Sequence, residues 1–141
     1  MKTSARLEIV LGVLKDCKII ETENKSYRNK WDEEEHPECK NLSNGVWAKL
    51  PDSDLCLSIQ THPLITGGDD TLCETALIGG AEQTVVYIRE LGYDDTLRHE
   101  TADDLKSHLV TLVTQVKGRK LKDMTVSQEP NLYEGDEEDV E

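Results

Sequence analysis

Residues 46–61 read VWAKLPDSDLCLSIQT, and this stretch decides the fold class. Two apolar runs flank the turn-forming residues PDSD, and the second run alternates apolar with polar side chains. Strict alternation places the apolar side chains on one face of a strand, and a short turn joins antiparallel neighbours. The stretch therefore predicts a β-hairpin with one buried face.

A second hairpin is predicted directly downstream. Residues 71–78 (TLCETALI) and 84–91 (TVVYIREL) form two further apolar runs, separated by a Gly-Gly pair and a short polar step. The β-branched and aromatic residues of the second run favour a strand, although 81–91 also allows a short helix that ends at Gly92. Two hairpins in series predict a four-stranded antiparallel sheet.

An amphipathic helix is predicted before the sheet, within residues 3–20. Thr3 or Ser4 offers a cap, and the apolar residues that follow recur at helical spacing. The predicted buried stripe consists of Leu7, Val10, Leu11, Leu14 and Cys17.

The clearest helical signal follows the sheet. Thr101 precedes Asp104 by three positions, as in a capping box, and Gly118 stands within a cationic stretch that suits a helix end. The predicted buried stripe is Leu105, Leu109, Leu112, Val113 and Val116. Since both helices must bury an apolar stripe, the chain predicts a two-layer α+β sandwich, with the four-stranded sheet flanked by an N-terminal and a C-terminal helix.

The 141 residues fit a single domain. We expect this domain over residues 1–124, with an acidic loop at about 21–45 and a flexible acidic tail over 125–141. The loop is longer than compact domains usually leave unstructured, so it either hides a short element or serves a purpose.

The net charge is −13, from 29 Asp and Glu against 16 Lys and Arg, and the excess lies in the middle of the chain and in the tail. This field repels nucleic-acid phosphates and anionic lipid and attracts basic proteins. Direct binding of nucleic acid or membrane is therefore disfavoured, because no basic stripe is present to displace counterions from phosphates.

The lack of a recognisable targeting signal and the spacing of the cysteines predict a cytoplasmic protein. No apolar run reaches the length of a membrane span, and charged residues interrupt the segment that a signal peptide would need. The four cysteines, at positions 17, 39, 56 and 73, form no CxxC motif. In a reducing compartment they are free thiols, whereas secretion would allow three disulfide pairings.

Acidic clusters are the candidate binding surface. Carboxylates packed into residues 31–38 and 134–141 repel one another, and a basic partner relieves that repulsion. An aromatic side chain beside the first cluster suits a protein interface. The predicted partner-binding residues are Trp31, Asp32, Glu33, Glu34, Glu35, Glu38, Glu134, Asp136, Glu137, Glu138 and Asp139. The plain alternative is an acidic surface that only keeps the protein soluble.

Zinc is the competing interpretation of the first cluster. His36, Cys39, Cys56 and His62 have the ligand types of a tetrahedral site, but the last two would have to converge on a distant loop. The plain interpretation is that the first two are loop residues and that Cys56, like Cys73, is a small strand residue. We therefore assign no metal site.

Three aspartate pairs invite a divalent-metal or hydrolytic interpretation, at 69–70, 94–95 and 103–104. Turn positions and the first turn of a helix explain them equally well. The chain also lacks a nucleophile motif such as GxSxG and a glycine loop followed by Lys-Ser or Lys-Thr. We assign no catalytic residue and no cofactor.

These observations predict a small acidic protein-binding module of the inhibitor, adaptor, chaperone or immunity type that engages a basic protein. The most specific form of this hypothesis is a nucleic-acid mimic that occupies the binding surface of a nucleic-acid-binding enzyme. Two alternatives stay open: a structural subunit of a virion or other assembly, which would form homo-oligomers, and a metal-binding protein or metal-dependent enzyme using the residues above.

Overall fold

Both predicted hairpins are present, and their four strands run side by side in chain order. The structure is a computed structural model that describes residues 2–25, 42–62, 66 and 70–127. Its elements are β1 (Lys2–Thr3), α1 (Ala5–Asp16), β2 (Ile20–Lys25), β3 (Leu42–Ser43), β4 (Gly45–Lys49), β5 (Cys56–Gln60), β6 (Cys73–Gly79), β7 (Thr84–Val86), β8 (Leu97–His99) and α2 (Ala102–Val116).

The main sheet is antiparallel, has the order β2-β4-β5-β6-β7, and adds β8 beside β6. The two helices and the sheet share one buried cluster, so the predicted two-layer α+β sandwich is confirmed. A parallel ladder of two residue pairs joins β1 to β3.

Two strands of this sheet, β2 and β8, were not predicted. Strand β2 occupies Ile20–Lys25, so residues 21–25 of the expected loop form a strand instead. Its sequence IETENK is mostly polar and contains one bulge in its pairing with β4. Because it lies at the sheet edge, it needs no apolar alternation to form.

The buried face of the sheet is an aligned row of aliphatic side chains. Ala48, Leu57, Leu77 and Val86 stand opposite one another on four neighbouring strands, and each is at most 1% exposed. Residues directly opposite on antiparallel strands have Cβ atoms about 5 Å apart. The predicted alternation of β5 is therefore confirmed.

Strands β7 and β8 pair with different halves of the same side of β6. Val86 stands opposite Leu77 and Leu97 stands opposite Thr75. If β7 continued in its own register, residue 88 would reach Thr75 instead, so residues 88–96 form a nine-residue excursion within one interrupted strand. The excursion contains a 3₁₀ turn at Arg89–Leu91, which resolves the strand-or-helix alternative for 81–91 into a short strand followed by this turn.

Helix α1 begins at the predicted cap. The Ser4 hydroxyl accepts a hydrogen bond from the Leu7 amide at 3.1 Å. Ser4 also lies 3.3 Å from the Thr61 hydroxyl, which ties the start of α1 to the end of β5. The buried face consists of Leu7, Val10, Val13 and Leu14, whereas the predicted Leu11 and Cys17 are only half-buried.

Helix α2 confirms its prediction more closely. The Thr101 hydroxyl accepts a hydrogen bond from the Asp104 amide at 3.1 Å, and the helix ends just before Gly118, whose φ is +72°. Its buried residues are Leu105, Leu109, Leu112 and Val116. Among the described residues, neither helix has the length and apolar character that a membrane crossing needs.

The segment after α2 returns along the sheet. The Asp54 carboxylate accepts a hydrogen bond from the Leu121 amide at 2.8 Å, and Ser127 exchanges two backbone hydrogen bonds with Tyr87 at 2.9 and 3.0 Å. The predicted tail began at residue 125, but the chain still pairs with the folded part at Ser127.

Candidate functional site

The predicted partner-binding residues lie outside the described residues. They are Trp31, Asp32, Glu33, Glu34, Glu35 and Glu38 of the loop, and Glu134, Asp136, Glu137, Glu138 and Asp139 of the tail. Their assignment stays a prediction from the sequence.

The structure does not bring together the described members of the proposed zinc set. Cys56 begins β5 and His62 lies two residues beyond its end; the strand itself, from Cys56 to Gln60, spans about 13 Å. Zinc needs each ligand atom within about 2.3 Å. His36 and Cys39 lie outside the described residues, among which no group of three or more His, Cys, Asp or Glu could hold a metal ion.

The described aspartates of the three pairs have ordinary roles. Asp94 accepts a hydrogen bond from the Arg89 side chain at 3.2 Å, and Asp103 and Asp104 lie in the first turn of α2, where the helix dipole favours acidic residues. Asp70 is exposed, and Asp69 lies outside the described residues.

A buried polar network is the most distinctive chemical feature of the described part of the chain. The hydroxyl of Tyr93, which comes from the excursion, lies between Thr75 on β6 and His108 on α2, and Thr75 also contacts His99 on β8. Thr75 and Tyr93 are fully buried, His99 is 6% exposed and His108 is half-buried. We call these four residues the buried network.

The sheet register aligns the first half of the buried network. His99 stands opposite Cys73, and Thr75 is two residues further along β6, so all three side chains share the buried face. The Thr75 hydroxyl lies 2.9 Å from Nε2 of His99, and the ring nitrogen reaches it along the diagonal of the ladder.

The excursion positions Tyr93. Gly92 ends the 3₁₀ turn with φ at +85°, a left-handed conformation that favours glycine, and Tyr93 then pairs with Ile88. This turn points the phenol toward the helix layer, where its hydroxyl lies 2.7 Å from both the Thr75 hydroxyl and Nε2 of His108. The two imidazole rings lie 4.8 Å apart between centroids.

Burial sets the protonation of this region. It lowers the pKa of His99 to about 4, with a further contribution from His108 and an opposing one from Asp104. Burial also lowers the pKa of His108 and raises that of Tyr93. Both imidazoles and the phenol are therefore neutral at pH 7.

The thiol of the neighbouring Cys73 is unreactive at neutral pH. Burial, helped by Glu74, raises the pKa of Cys73 to about 12, so the thiol is protonated at neutral pH. A thiol rather than a thiolate is a poor nucleophile and metal ligand. Cys73, like Cys17 and Cys56, is a free cysteine.

The buried network can pass protons along hydrogen bonds, but its hydroxyls do not meet solvent. No sequence motif connects His99 with His108. One signal was available: His108 falls on the same face of α2 as Leu105, Leu109 and Leu112, and Thr75 alternates with Cys73 and Leu77. A polar residue on a buried face needs a partner.

No protein-family model, curated protein or solved structure matches this chain.

Proposed function

We propose that this protein is a small acidic binding module that engages a basic partner protein in the cytoplasm through residues 31–38 and 134–141. The observation that carries the proposal is the separation of charge along the chain. The described residues hold 16 acidic and 13 basic side chains, whereas the remaining residues hold 13 acidic and 3 basic ones. Ten of the thirteen net negative charges thus belong to segments outside the described fold.

The surface charges of the described fold support this proposal because several of them pair with one another. Arg89 pairs with Asp94 at 3.2 Å, Arg98 with Glu74 at 3.3 Å and Arg119 with Glu90 at 2.9 Å. Such exposed pairs add little stability, but they reduce the field of the fold itself. The charge available to attract a partner is then concentrated in the loop and the tail.

The points at which the two acidic segments leave the fold also support the proposal. The loop follows β2 at one edge of the sheet, and the tail follows Ser127, which pairs beyond β7 at the other edge. Five adjacent strands place their outer members about 19 Å apart. A basic partner of ordinary domain size can meet both segments, and the second contact then gains from the high effective concentration that the first creates.

A basic protein that normally binds nucleic acid is the partner class that this charge distribution fits best. Its binding surface already presents Lys and Arg to closely spaced negative charges. An acidic loop and tail would compete for that surface as a nucleic-acid mimic.

Capture from a cell lysate at low and high salt tests the proposal. Immobilised protein should retain proteins of high isoelectric point at low salt and release them as ionic strength rises, with a loss of affinity of about tenfold or more between 50 and 500 mM salt. Retention of neutral proteins that resist salt, or of none, would contradict the proposal.

A charge-matched pair of variants locates the site. Glu33, Glu34 and Glu35 replaced together by Gln should weaken the capture. The control replaces the exposed acids Glu82, Glu100 and Asp123 of the described fold by their amides, which removes the same charge. Equal effects of the two triple variants would show that net charge matters and the loop does not.

Two other outcomes would favour the alternatives. Concentration-dependent oligomers that are insensitive to salt would favour an assembly subunit. Stoichiometric zinc that is lost when His36 and Cys39 are replaced would favour a metal protein.

A further inference from the structure

The buried network is a linear chain of three hydrogen bonds between two imidazoles. It runs from Nε2 of His99 to the Thr75 hydroxyl at 2.9 Å, from there to the Tyr93 hydroxyl at 2.7 Å, and on to Nε2 of His108 at 2.7 Å. It therefore connects β8, β6, the excursion and α2.

Counting hydrogens restricts the tautomers of the two histidines. Each hydrogen bond contains one hydrogen, and the two hydroxyls bring two. The third must come from Nε2 of one imidazole, while Nε2 of the other must be bare and accept. Two neutral rings thus take opposite tautomers, and the chain of donors runs in one direction or the other.

The same count limits how many added protons the buried network can accept. One added proton is accommodated, because the charged ring donates from Nε2 and the hydroxyls orient away from it toward the neutral ring. Two charged rings would both donate, which puts four hydrogens into three bonds. One bond must then break, and two positive charges would also face each other across 4.8 Å.

Within the part of the chain that the structure describes, few other groups can offset this charge. Asp104 on α2 is the carboxylate that stabilises a charged His99, while Cys73 on β6 and the phenol of Tyr93 stay neutral. Burial lowers the pKa of both imidazoles, and His108 lowers that of His99 further, so the two rings oppose each other's charging.

We propose that the buried network is a proton-counting switch that keeps α2 tightly held on the sheet with up to one added proton and loosens it with the second. After the second proton the contact between Tyr93 and His108, or between Thr75 and its neighbours, is lost. Helix α2 and the excursion then loosen while β4 and β5, which hold none of the four residues, keep their pairing.

NMR spectroscopy of the full chain labelled with nitrogen-15 tests this proposal directly. At pH 7 one of His99 and His108 should be the Nε2–H tautomer and the other the Nδ1–H tautomer. On acidification the first ring should charge without a change in amide exchange. The second should charge together with exchange over Ala102–Val116 that is about tenfold faster or more, the scale expected for a lost buried hydrogen bond. Amides of β4 and β5 serve as the internal reference.

Thr75→Val and Thr75→Ser form a matched pair. Valine has a similar size but no hydroxyl, so it interrupts the row of hydrogen bonds at its middle. The charging of the two rings should then no longer affect amide exchange in α2. Serine keeps the hydroxyl and should behave like the native protein.

Identical tautomers on the two neutral rings would overturn the proposal. Two charged rings with unchanged α2 exchange would overturn it equally. Both results are read from the native chain, so the test stands even where Thr75→Val fails to fold.

Discussion

The two ends of the buried layer are built from different chemistry on the same strand. At one end of β6, Leu77 stands in a row of aliphatic side chains from neighbouring strands. At the other end, Thr75 stands beside His99 and below Tyr93 and His108. Both ends face the helix layer, and the polar end contacts α2 directly.

This difference indicates which part of the fold has a stability that depends on pH. Aliphatic burial stabilises in proportion to area and does not depend on pH. Hydrogen bonds between titratable groups stabilise only while each donor faces an acceptor. The aliphatic end therefore sets the baseline stability, and the buried network makes part of that stability depend on protons.

The largest expected effect comes from the aliphatic end. Leu77→Ala removes a fully buried side chain and should lower the free energy of unfolding by about 2–5 kcal/mol. Denaturant titration at pH 5 and pH 7 should give the same loss. Val110→Ala, at a residue that is 55% exposed, is the control and should change little. If the loss in Leu77→Ala varied with pH, the claim that the aliphatic end stabilises the fold independently of pH would be contradicted.

Removal of one hydroxyl tests the polar end. Tyr93→Phe leaves the Thr75 hydroxyl and Nε2 of His108 without their shared partner, which should cost about 1–3 kcal/mol of unfolding free energy. Tyr87→Phe is the matched control, because Tyr87 is held by backbone bonds to Ser127 and should stay within about 0.5 kcal/mol of the native protein. Comparable losses in the two variants would mean that the network adds no stability of its own.

The pH dependence of stability should separate the two ends further. The pKa of His99 falls from its ordinary 6.5 to about 4 in the fold, so the unfolded chain binds more protons between these values. The contribution of His99 is therefore complete above pH 6.5, declines as the pH falls, and is lost below about 4, with a slope of up to about 1.4 kcal/mol per pH unit. His99→Gln should flatten the measured profile by that amount, whereas Val110→Ala, which removes no titratable group, should not.

The helix cap should give the smallest of these effects. Thr101→Ala removes the acceptor for the Asp104 amide and should cost about 1 kcal/mol, independent of pH between 5 and 8. Thr101→Ser retains the acceptor and should restore the loss. If Thr101→Ala changed the pH dependence of the free energy of unfolding, the cap would be coupled to the buried network, contrary to this prediction.

Local patterns were sufficient to predict most of the fold. The cap at Thr101, the helical stripe from Leu105 to Val116 and the alternation of β5 each depend on residues close in sequence. Strand β2 was missed because an edge strand with a mostly polar sequence lacks that alternation. Strand β8 was missed because three residues are too few to show a period, and its pairing depends on where the excursion returns.

The buried network could not be assembled from the sequence. Its members span residues 75 to 108, and their contact depends on the register of β6 with β8 and on the turn at Gly92. The acidic segments present the opposite situation. Composition alone identifies Glu33, Glu34 and Glu35 as candidates, and the described fold adds the positions from which the loop and the tail depart.

The nine-residue offset between β7 and β8 marks the excursion as an insertion into one strand register, although it also supplies Ile88, Leu91 and Tyr93 to the core. Deletion of residues 88–96 would let Tyr87 lead straight to Leu97 in a single register along β6. Such a shortened chain would keep every strand of the sheet, yet it would lose the phenol that links the sheet to α2. The coupling proposed above between protonation and the hold on α2 therefore depends on the excursion and not on the sheet.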